Sequence, residues 1–229
     1  NYLSHCIENY FIYDNMVSLF HTSISFDLTI TSIMPQLVQG GQIHYIEYSR
    51  GIPGLLEFIK ENQRALLLKC TPAHLEILFQ SIDKEFFINQ QIMAIVGGEE
   101  VTRKLVGDFY ENMPKSVMIN EYGPTEATVG CTICRLTEEM CYANHMSIGY
   151  SISGMASYVV NARNQILPPY FSGELILSGN GLADEYFHNM PETKAKFIDN
   201  VIDGKRVYRT GDYCFYDEKG NLYYIGRTD

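Results

Sequence analysis

The sequence has no long apolar run, no visible secretion signal and a shortage of positive charge. No window approaches the roughly 18 continuous apolar residues of a membrane-spanning helix, so we expect no such helix and no membrane partner. The 17 Lys and Arg residues are outnumbered by 27 Asp and Glu, which gives a net charge of −10 at pH 7. We do not expect so acidic a chain to bind a nucleic-acid backbone, although its charge is compatible with a local site for one nucleotide.

Cysteine is present, but not in a metal-binding pattern. Of six cysteines, only Cys131 and Cys134 are spaced as C-x-x-C, and a zinc ribbon requires a second such pair, which the sequence lacks. We interpret the cysteines as reduced thiols, this pair in an apolar strand, and therefore expect a cytoplasmic protein.

The composition is that of a globular protein, with 46% hydrophobic and 19% charged residues over 229 positions. Over the first 120 or so residues, short apolar segments alternate with segments of helical spacing. The predicted strands are 43–46, 65–69, 92–96 and 116–119, and the predicted helices are 53–62, one opened by Thr71 and Pro72, and 99–112. The alternation indicates an α/β fold: a doubly wound, mostly parallel sheet with helices on both faces.

The carboxyl ends of the predicted strands carry polar residues and glycines. Lys69 ends one strand, Gly97 and Gly98 follow the next, and 120–122 ends a third. Because ligands of such sheets bind beyond the carboxyl ends of the strands, we expect these residues to face one crevice.

Past residue 140 the pattern changes. Short strands are predicted at 158–160, 173–177 and 222–225, with a helix near 189–197. We therefore predict two domains: an α/β subdomain at residues 1–140, and a smaller, mainly β, barrel-like subdomain at residues 141–229.

Four short segments carry a family pattern: N-E-Y-G-P-T-E at 120–126, G-E-L-I-L-S-G-N-G-L-A at 173–183, Y-R-T-G-D at 208–212 and G-R-T-D at 226–229. In order, they resemble the N-x-Y-G-P-T-E, G-E-L-x-x-x-G-x-G-L-A, Y-R-T-G-D and G-R-x-D motifs of adenylate-forming enzymes. Four matches in the family's order and at about its spacing are specific, and the resemblance covers essentially the whole chain. On this resemblance, the chain is identified as part of an adenylation domain of a nonribosomal peptide synthetase.

The resemblance implies an activity. Such a domain uses ATP and Mg²⁺ to activate an amino acid as its aminoacyl-adenylate, and passes the acyl group to the phosphopantetheine thiol of a carrier protein. The residues implied in catalysis are Thr125, which would contact phosphate, and Glu126, which would bind Mg²⁺. The residues implied in ATP binding are Gly98, Asn120, Tyr122, Gly123, Asp212 and Arg227.

These residues have different implied roles. Tyr122 would stack on adenine, and Asn120 would bind the adenine amino group. Asp212, helped by Arg227, would accept hydrogen bonds from the ribose hydroxyls. Outside the motif context, Asp212 and Glu126 would each be interpreted as a solvated loop carboxylate.

Residues 25–27, S-F-D, resemble the start of the family's substrate pocket, where the aspartate pairs with the α-ammonium group of an amino acid. Asp27 therefore favours an α-amino acid over the substrates of acyl-CoA ligases and luciferases, which share the other motifs. The alternative is that Asp27 caps a helix over 28–37, and the two roles are compatible. The pocket positions carried over from the family are Asp27, Leu28, Thr31, Lys69, Ile95, Gly97, Glu121, Val129 and Gly130.

These nine residues resemble the pocket signature of asparagine-activating domains. Lys69 offers a donor and Glu121 an acceptor, as a side-chain carboxamide requires, and Leu28, Ile95 and Val129 would wall the pocket. Aspartate is the main rival, but two like charges at about 4 Å cost about 4 kcal/mol at an effective dielectric near 20, unless Glu121 is protonated. Glutamine has an extra methylene, which costs about 1–3 kcal/mol in a fitted pocket. A structural ion pair between Lys69 and Glu121 is the other interpretation.

Two parts of an adenylation domain have no counterpart in the sequence. The family's Gly/Ser/Thr-rich phosphate loop is absent, and so is the small C-terminal subdomain with its catalytic Lys. We therefore expect the chain to be the middle of such a domain, with negligible turnover alone. The alternative is a substrate-recognition module without catalysis.

Overall fold

The computed structural model describes residues 1–81, 86–202 and 204–227. They form two compact units. The α/β unit comprises the described residues of Leu3–Glu121 and Arg135–Met146, and the β unit comprises those of Asn1–Tyr2, Tyr122–Cys134 and Ser147–Asp229. The domain boundary predicted after residue 140 therefore falls within a segment that groups with the α/β unit. Across the described ranges, every helix is too short or too polar to span a bilayer.

The α/β unit is built on five parallel strands. The strands are β1 (Val17–Phe20), β2 (Gln42–Tyr45), β3 (Leu66–Cys70), β4 (Ile92–Val96) and β5 (Val117–Tyr122). The helices are α1 (Tyr2–Tyr10), α2 (Thr29–Gln39), α3 (Gly51–Glu61), α4 (Pro72–Gln80) and α5 (Arg103–Asn112). The order across the sheet is β2-β1-β3-β4-β5, and each neighbouring pair is parallel.

This strand order confirms the predicted α/β fold. The chain moves outward from β1 to β2, then crosses back to β3 and continues in the other direction. With right-handed crossovers, such a reversal puts α2 on one face of the sheet and α3, α4 and α5 on the other. The contacts agree, since α2 packs on β1, β2 and β3, whereas α4 packs against both α3 and α5. Every residue of β3 and β4 is buried, as their continuous apolar runs predict.

Side-chain caps fix where two of these helices begin. Thr71 is the N-cap of α4 and Pro72 its first residue, as the Thr-Pro pair predicts, and the Thr71 amide donates to His74 Nδ1 at 3.2 Å in a capping box. The predicted start of the next helix at Glu99 is wrong, because α5 begins at Arg103. There the Thr102 hydroxyl accepts a hydrogen bond from the Leu105 amide at 3.1 Å.

The β unit is an antiparallel sheet with one short helix. Its strands are β6 (Thr132–Leu136), β7 (Ser147–Ser151), β8 (Met155–Val160), β9 (Gly173–Gly179), β10 (Phe197–Ile202), β11 (Lys205–Tyr216) and β12 (Leu222–Arg227), and its helix is α6 (Met190–Lys196). The last two residues of β6 group with the α/β unit. The order is β6-β7-β12-β11-β9-β8, with β10 also paired to β11. Its core contains Val159, Leu175, Leu177 and Leu222. The mainly β character of this region is as predicted, and the described ladders do not by themselves close the sheet into a barrel.

Candidate functional site

The carboxyl ends of β3 and β5 hold a buried ion pair. Lys69 Nζ contacts Glu121 Oε2, and the two residues are only 3% and 2% exposed. Because β4 lies between β3 and β5, the pair has to form across the end of β4. Gly97 makes this geometry feasible: a Cβ there would lie 2.4 Å from the Glu121 carbonyl oxygen and 3.4 Å from Lys69 Nζ. The structure therefore brings three of the predicted substrate residues together.

A residue outside the motifs completes this cluster. Tyr10, at the end of α1, donates its hydroxyl to Glu121 Oε1 at 2.6 Å and is 1% exposed. Burial and the neighbouring Glu121 raise the pKa of Tyr10 well above its usual range, so its hydroxyl keeps its proton. The His5 ring packs edge-on against the Tyr10 ring, with centroids 5.4 Å apart. Both oxygens of Glu121 thus accept from buried donors, one from Lys69 and one from Tyr10.

Two histidines lie at the point where the strand order reverses. His21 follows β1, and its Nε2 atom lies 3.1 Å from the carbonyl oxygen of Lys69. Burial lowers the pKa of His21 to about 4, and the His74 ring 5.4 Å away acts in the same direction. His21 is therefore neutral at pH 7, and Nε2–H must be the donor because a carbonyl can only accept. This bond fixes the backbone from which the Lys69 side chain extends.

Three further predicted substrate residues, Asp27, Leu28 and Thr31, lie at or just before the start of α2. Asp27 and Leu28 are half-buried and Thr31 is fully buried. The N-cap position of α2 is Leu28, so Asp27 lies one residue before it. On the sheet, Ile95 in β4 is also fully buried.

In the β unit, three predicted nucleotide-binding residues form one cluster. Tyr122 donates its hydroxyl to Asp212 Oδ2, and Arg227 NH1 donates to Asp212 Oδ1 at 3.2 Å. Asp212 and Arg227 are directly opposite in the antiparallel register of β11 and β12. The Asp212 amide also donates to Thr210 Oγ1 at 2.9 Å, and Asp212 is 8% exposed. Burial and Asp212 raise the pKa of Tyr122, which therefore stays a donor.

Glu126 is held by Ala183, the last residue of the second motif, and by Tyr186, which lies three residues after that motif. The Tyr186 hydroxyl donates to Glu126 Oε1 and lies 3.3 Å from the Tyr208 hydroxyl. Burial and the bond to Glu126 raise the pKa of Tyr186 to about 12. The Ala183 amide donates to the Glu126 carbonyl at 2.8 Å. Tyr186 has no role in the sequence interpretation, because nothing in the spacing relates it to Glu126.

The arrangement at Glu126 fits Mg²⁺. This ion is usually held by one or two carboxylates, with substrate phosphates and water as the other ligands. A carboxylate has about four acceptor positions, so Glu126 can accept from Tyr186 and still contribute an oxygen. Within the described parts of the chain, no three His, Cys, Asp or Glu residues cluster as a ready-made metal site.

The loop after Glu126 has an unusual backbone. Thr128 and Val129 have φ angles of 58° and 64°, values that β-branched residues rarely adopt. Thr128 Oγ1 donates to the Gly181 carbonyl at 2.6 Å, which ties this loop to the second motif. A Cβ on Gly123 would lie 2.7 Å from the Val129 carbonyl oxygen, so the loop packs directly on the glycine of the first motif. Val129 and Gly130, both predicted pocket residues, are buried here.

The remaining predicted site residues are Gly98, Asn120 and Thr125. Gly98 follows Gly97 with a left-handed φ of 84°, Asn120 is buried near the end of β5, and Thr125 is exposed. The last two residues of the G-R-x-D motif, Thr228 and Asp229, lie outside the described residues.

The doubly wound sheet and the contacts of Tyr122, Glu126 and Asp212 described above agree with the resemblance of the motifs to those of adenylate-forming enzymes. A comparison with family models matches residues 1–187 to "AMP-binding enzyme". The chain therefore belongs to the AMP-binding enzyme family.

The chain is also similar in sequence to two curated proteins. The chain is 37% identical over 211 residues to tyrocidine synthase 3 of Brevibacillus parabrevis, covering 91% of this chain and 3% of that protein. It is 31% identical over 230 residues to a D-alanine–D-alanyl carrier protein ligase of Bacillus anthracis, covering 97% of this chain and 44% of the ligase. The chain thus spans less than half the length of either relative.

Two solved structures are similar as well. PA1221, a nonribosomal peptide synthetase protein with adenylation and PCP domains, superposes with a TM-score of 0.84 at 27% identity, over 96% of this chain and 45% of that one. Holo-AB3403, a four-domain nonribosomal peptide synthetase bound to AMP and glycine, gives a TM-score of 0.84 at 26% identity, over 99% of this chain and 17% of that one.

Proposed function

We propose that this chain is the substrate-selecting part of an adenylation domain that activates L-asparagine with ATP in nonribosomal peptide synthesis. The observation that carries the amino-acid assignment is the buried Lys69–Glu121 pair at the carboxyl ends of the strands. The family membership and the Tyr122–Asp212–Arg227 cluster support the nucleotide part. A neighbouring structure bound to AMP and glycine supports an α-amino acid as the substrate.

In the proposed reaction, a carboxylate oxygen of asparagine attacks the α-phosphorus of ATP. An oxygen–phosphorus bond forms, the bond from the α-phosphorus to the bridging oxygen breaks, and pyrophosphate leaves. A carrier-protein thiol then attacks the acyl carbon of the adenylate, and AMP leaves. The carrier protein with its phosphopantetheine arm is the proposed partner, as in the neighbour that contains adenylation and PCP domains.

The residues of the β unit would bind the nucleotide. Asp212, held in place by Tyr122 and Arg227, would accept hydrogen bonds from the ribose hydroxyls, and Tyr122 would stack on adenine. Thr125 would contact phosphate. Glu126 would hold Mg²⁺, which offsets phosphate charge during the displacement.

Other residues would position the nucleotide through the backbone or a single contact. In the α/β unit, Asn120 would bind the adenine amino group, and Gly98 would allow a close approach of the backbone. In the β unit, Gly123 has the same proposed role as Gly98.

The pairing of Lys69 with Glu121 is compatible with binding a carboxamide. An ammonium group has three N–H donors, of which Glu121 needs one, and each carboxylate oxygen has a second lone pair. The pair can therefore donate to the amide oxygen and accept from the amide NH₂, while Asp27 binds the α-ammonium group. An aspartate side chain would add an unbalanced charge facing Glu121, at a cost of about 4 kcal/mol for a 4 Å separation and a dielectric near 20.

The test is ATP–pyrophosphate exchange by a complete adenylation domain that contains this chain, measured with each of the twenty amino acids. We expect the highest exchange with asparagine. Higher exchange with aspartate would refute the substrate and leave the activity standing. No exchange with any amino acid would refute the activity itself.

We also infer that residues 1–229 alone turn over negligibly, because they contain neither a Gly/Ser/Thr-rich phosphate loop nor the C-terminal catalytic Lys of the family. Binding of asparagine by this chain without adenylate formation would favour a recognition module. Near-normal exchange by the purified chain would refute the inference. All six cysteines, each within the described ranges, lack disulfide bonds, and this supports a cytoplasmic location.

A further inference from the structure

We propose that Tyr10 is a specificity-positioning residue: its hydroxyl holds the Glu121 carboxylate in the orientation that accepts a side-chain amide. The proposal rests on the proposed amino-acid pocket at Lys69 and Glu121. Tyr10 lies in none of the four motifs, and it is 111 positions before Glu121 in the sequence.

The geometry around Glu121 supports this role. Lys69 Nζ contacts Oε2, and the Tyr10 hydroxyl donates to Oε1 at 2.6 Å. All three side chains are buried, so water cannot replace a hydrogen bond that breaks. Turning the carboxylate about its terminal bond would misalign at least one of these bonds. The two bonds therefore hold the Glu121 carboxylate in one orientation.

The donor itself is held rigidly. Tyr10 ends α1, where Tyr2 and Cys6 are also buried, so the helix is anchored along its length. The edge-on His5 ring limits movement of the Tyr10 ring. A tyrosine has few rotatable bonds, so a packed ring places its hydroxyl accurately at little cost in side-chain entropy.

The charge balance explains why this arrangement would distinguish asparagine from aspartate. The ammonium and the carboxylate cancel, and the Tyr10 hydroxyl is neutral, so the cluster carries no net charge. A carboxamide adds none, whereas a carboxylate would add one negative charge at a buried position. Without the Tyr10 hydroxyl, Glu121 could turn toward Lys69, and the oriented acceptor for the amide NH₂ would be lost.

The experiment compares Tyr10→Phe with wild type in a complete adenylation domain that contains this chain. Pyrophosphate exchange gives kcat and KM for asparagine, aspartate and ATP, and circular dichroism checks that the variant is folded. We expect kcat/KM for asparagine to fall about tenfold, mainly through KM, with aspartate and the KM of ATP little changed. The selectivity ratio should fall by the same factor.

Tyr110→Phe is the matched control. It removes another tyrosine hydroxyl of the α/β unit, one that donates to the Leu136 carbonyl, and it should leave the selectivity ratio unchanged. An equal loss for asparagine and aspartate in Tyr10→Phe would mean a structural role only, and would overturn the proposal. An unchanged ratio would do the same. A wild-type domain that does not prefer asparagine would overturn the substrate assignment and this proposal with it.

Discussion

Substitutions of Lys69 and Glu121 should have strongly non-additive effects on the free energy of unfolding. Glu121→Gln leaves the buried Lys69 ammonium group without the Glu121 counter-charge, and Lys69→Met leaves the buried Glu121 carboxylate without its ammonium partner. Because the paired residues are 3% and 2% exposed, each single change should cost about 3–5 kcal/mol of unfolding free energy. The double variant removes both charges, so it should cost less than the sum of the two, with a coupling of several kcal/mol.

The assay is urea unfolding of the wild type, both single variants and the double variant, at low and moderate salt. The coupling should change little with salt, because a buried pair is poorly screened. The exposed Arg50–Glu57 pair, at 52% and 54% side-chain exposure, is the control, and Arg50→Gln should cost less than about 1 kcal/mol. If the two single changes add to within about 0.5 kcal/mol, the reasoning about this pair is wrong.

Three further predictions concern packing, a hydrogen bond and pH. Gly97→Ala should lower both stability and asparagine binding, because its Cβ would lie 2.4 Å from the Glu121 carbonyl oxygen; thermal melts and calorimetry measure this. Thr128→Val loses the bond to Gly181, and urea unfolding should show a cost of about 1 kcal/mol. Burial lowers the pKa of His21 from 6.5 to about 4. As the pH falls, His21 is therefore protonated in the unfolded chain before it is protonated in the folded chain, which favours unfolding. The contribution of neutral, buried His21 to the free energy of unfolding is fully present above pH 6.5 and is lost between pH 6.5 and 4, by up to about 3 kcal/mol. Urea unfolding of His21→Gln should therefore show a flatter pH dependence than that of the wild type.

Each of these predictions has a control. Gly107→Ala in α5 should be tolerated, because its Cβ would come no closer than 3.7 Å to Cys141; equal losses at Gly97 and Gly107 would contradict the packing argument. Thr128→Ser keeps the hydroxyl and should stay close to wild type. A pH dependence that is the same in wild type and His21→Gln would assign the slope to other groups.

Much of the α/β unit could be predicted because local and global signals agree there. Continuous apolar runs specify β3 and β4 as buried strands, and the Thr71-Pro72 pair specifies the start of α4. The parallel order then places Lys69 and Glu121 at the same edge of the sheet, two strands apart. Their pairing across β4 depends on side-chain reach, which the strand pattern does not contain.

The missed features depend on tertiary contacts. Tyr10 meets Glu121 only because α1 packs where it does, and a lone tyrosine in a short helix has no pattern that indicates a partner. The left-handed backbone at Val129 contradicts the local preference of a β-branched residue, and it occurs where Gly123 and Gly181 hold the loop. α5 begins later than predicted because its N-cap is Thr102, whereas acidic residues at 99 and 100 are also typical of a first helical turn.

The most direct test of the central claim is a competition for adenylate formation. A complete adenylation domain that contains this chain is incubated with ATP, Mg²⁺ and equal concentrations of asparagine, aspartate and glutamine, and the aminoacyl-adenylates are quantified by mass spectrometry. Recognition through Lys69 and Glu121 predicts that asparaginyl-adenylate predominates, and that Lys69→Met removes this excess. A mixture dominated by aspartyl-adenylate or glutaminyl-adenylate, or one that contains no adenylate, would contradict the account.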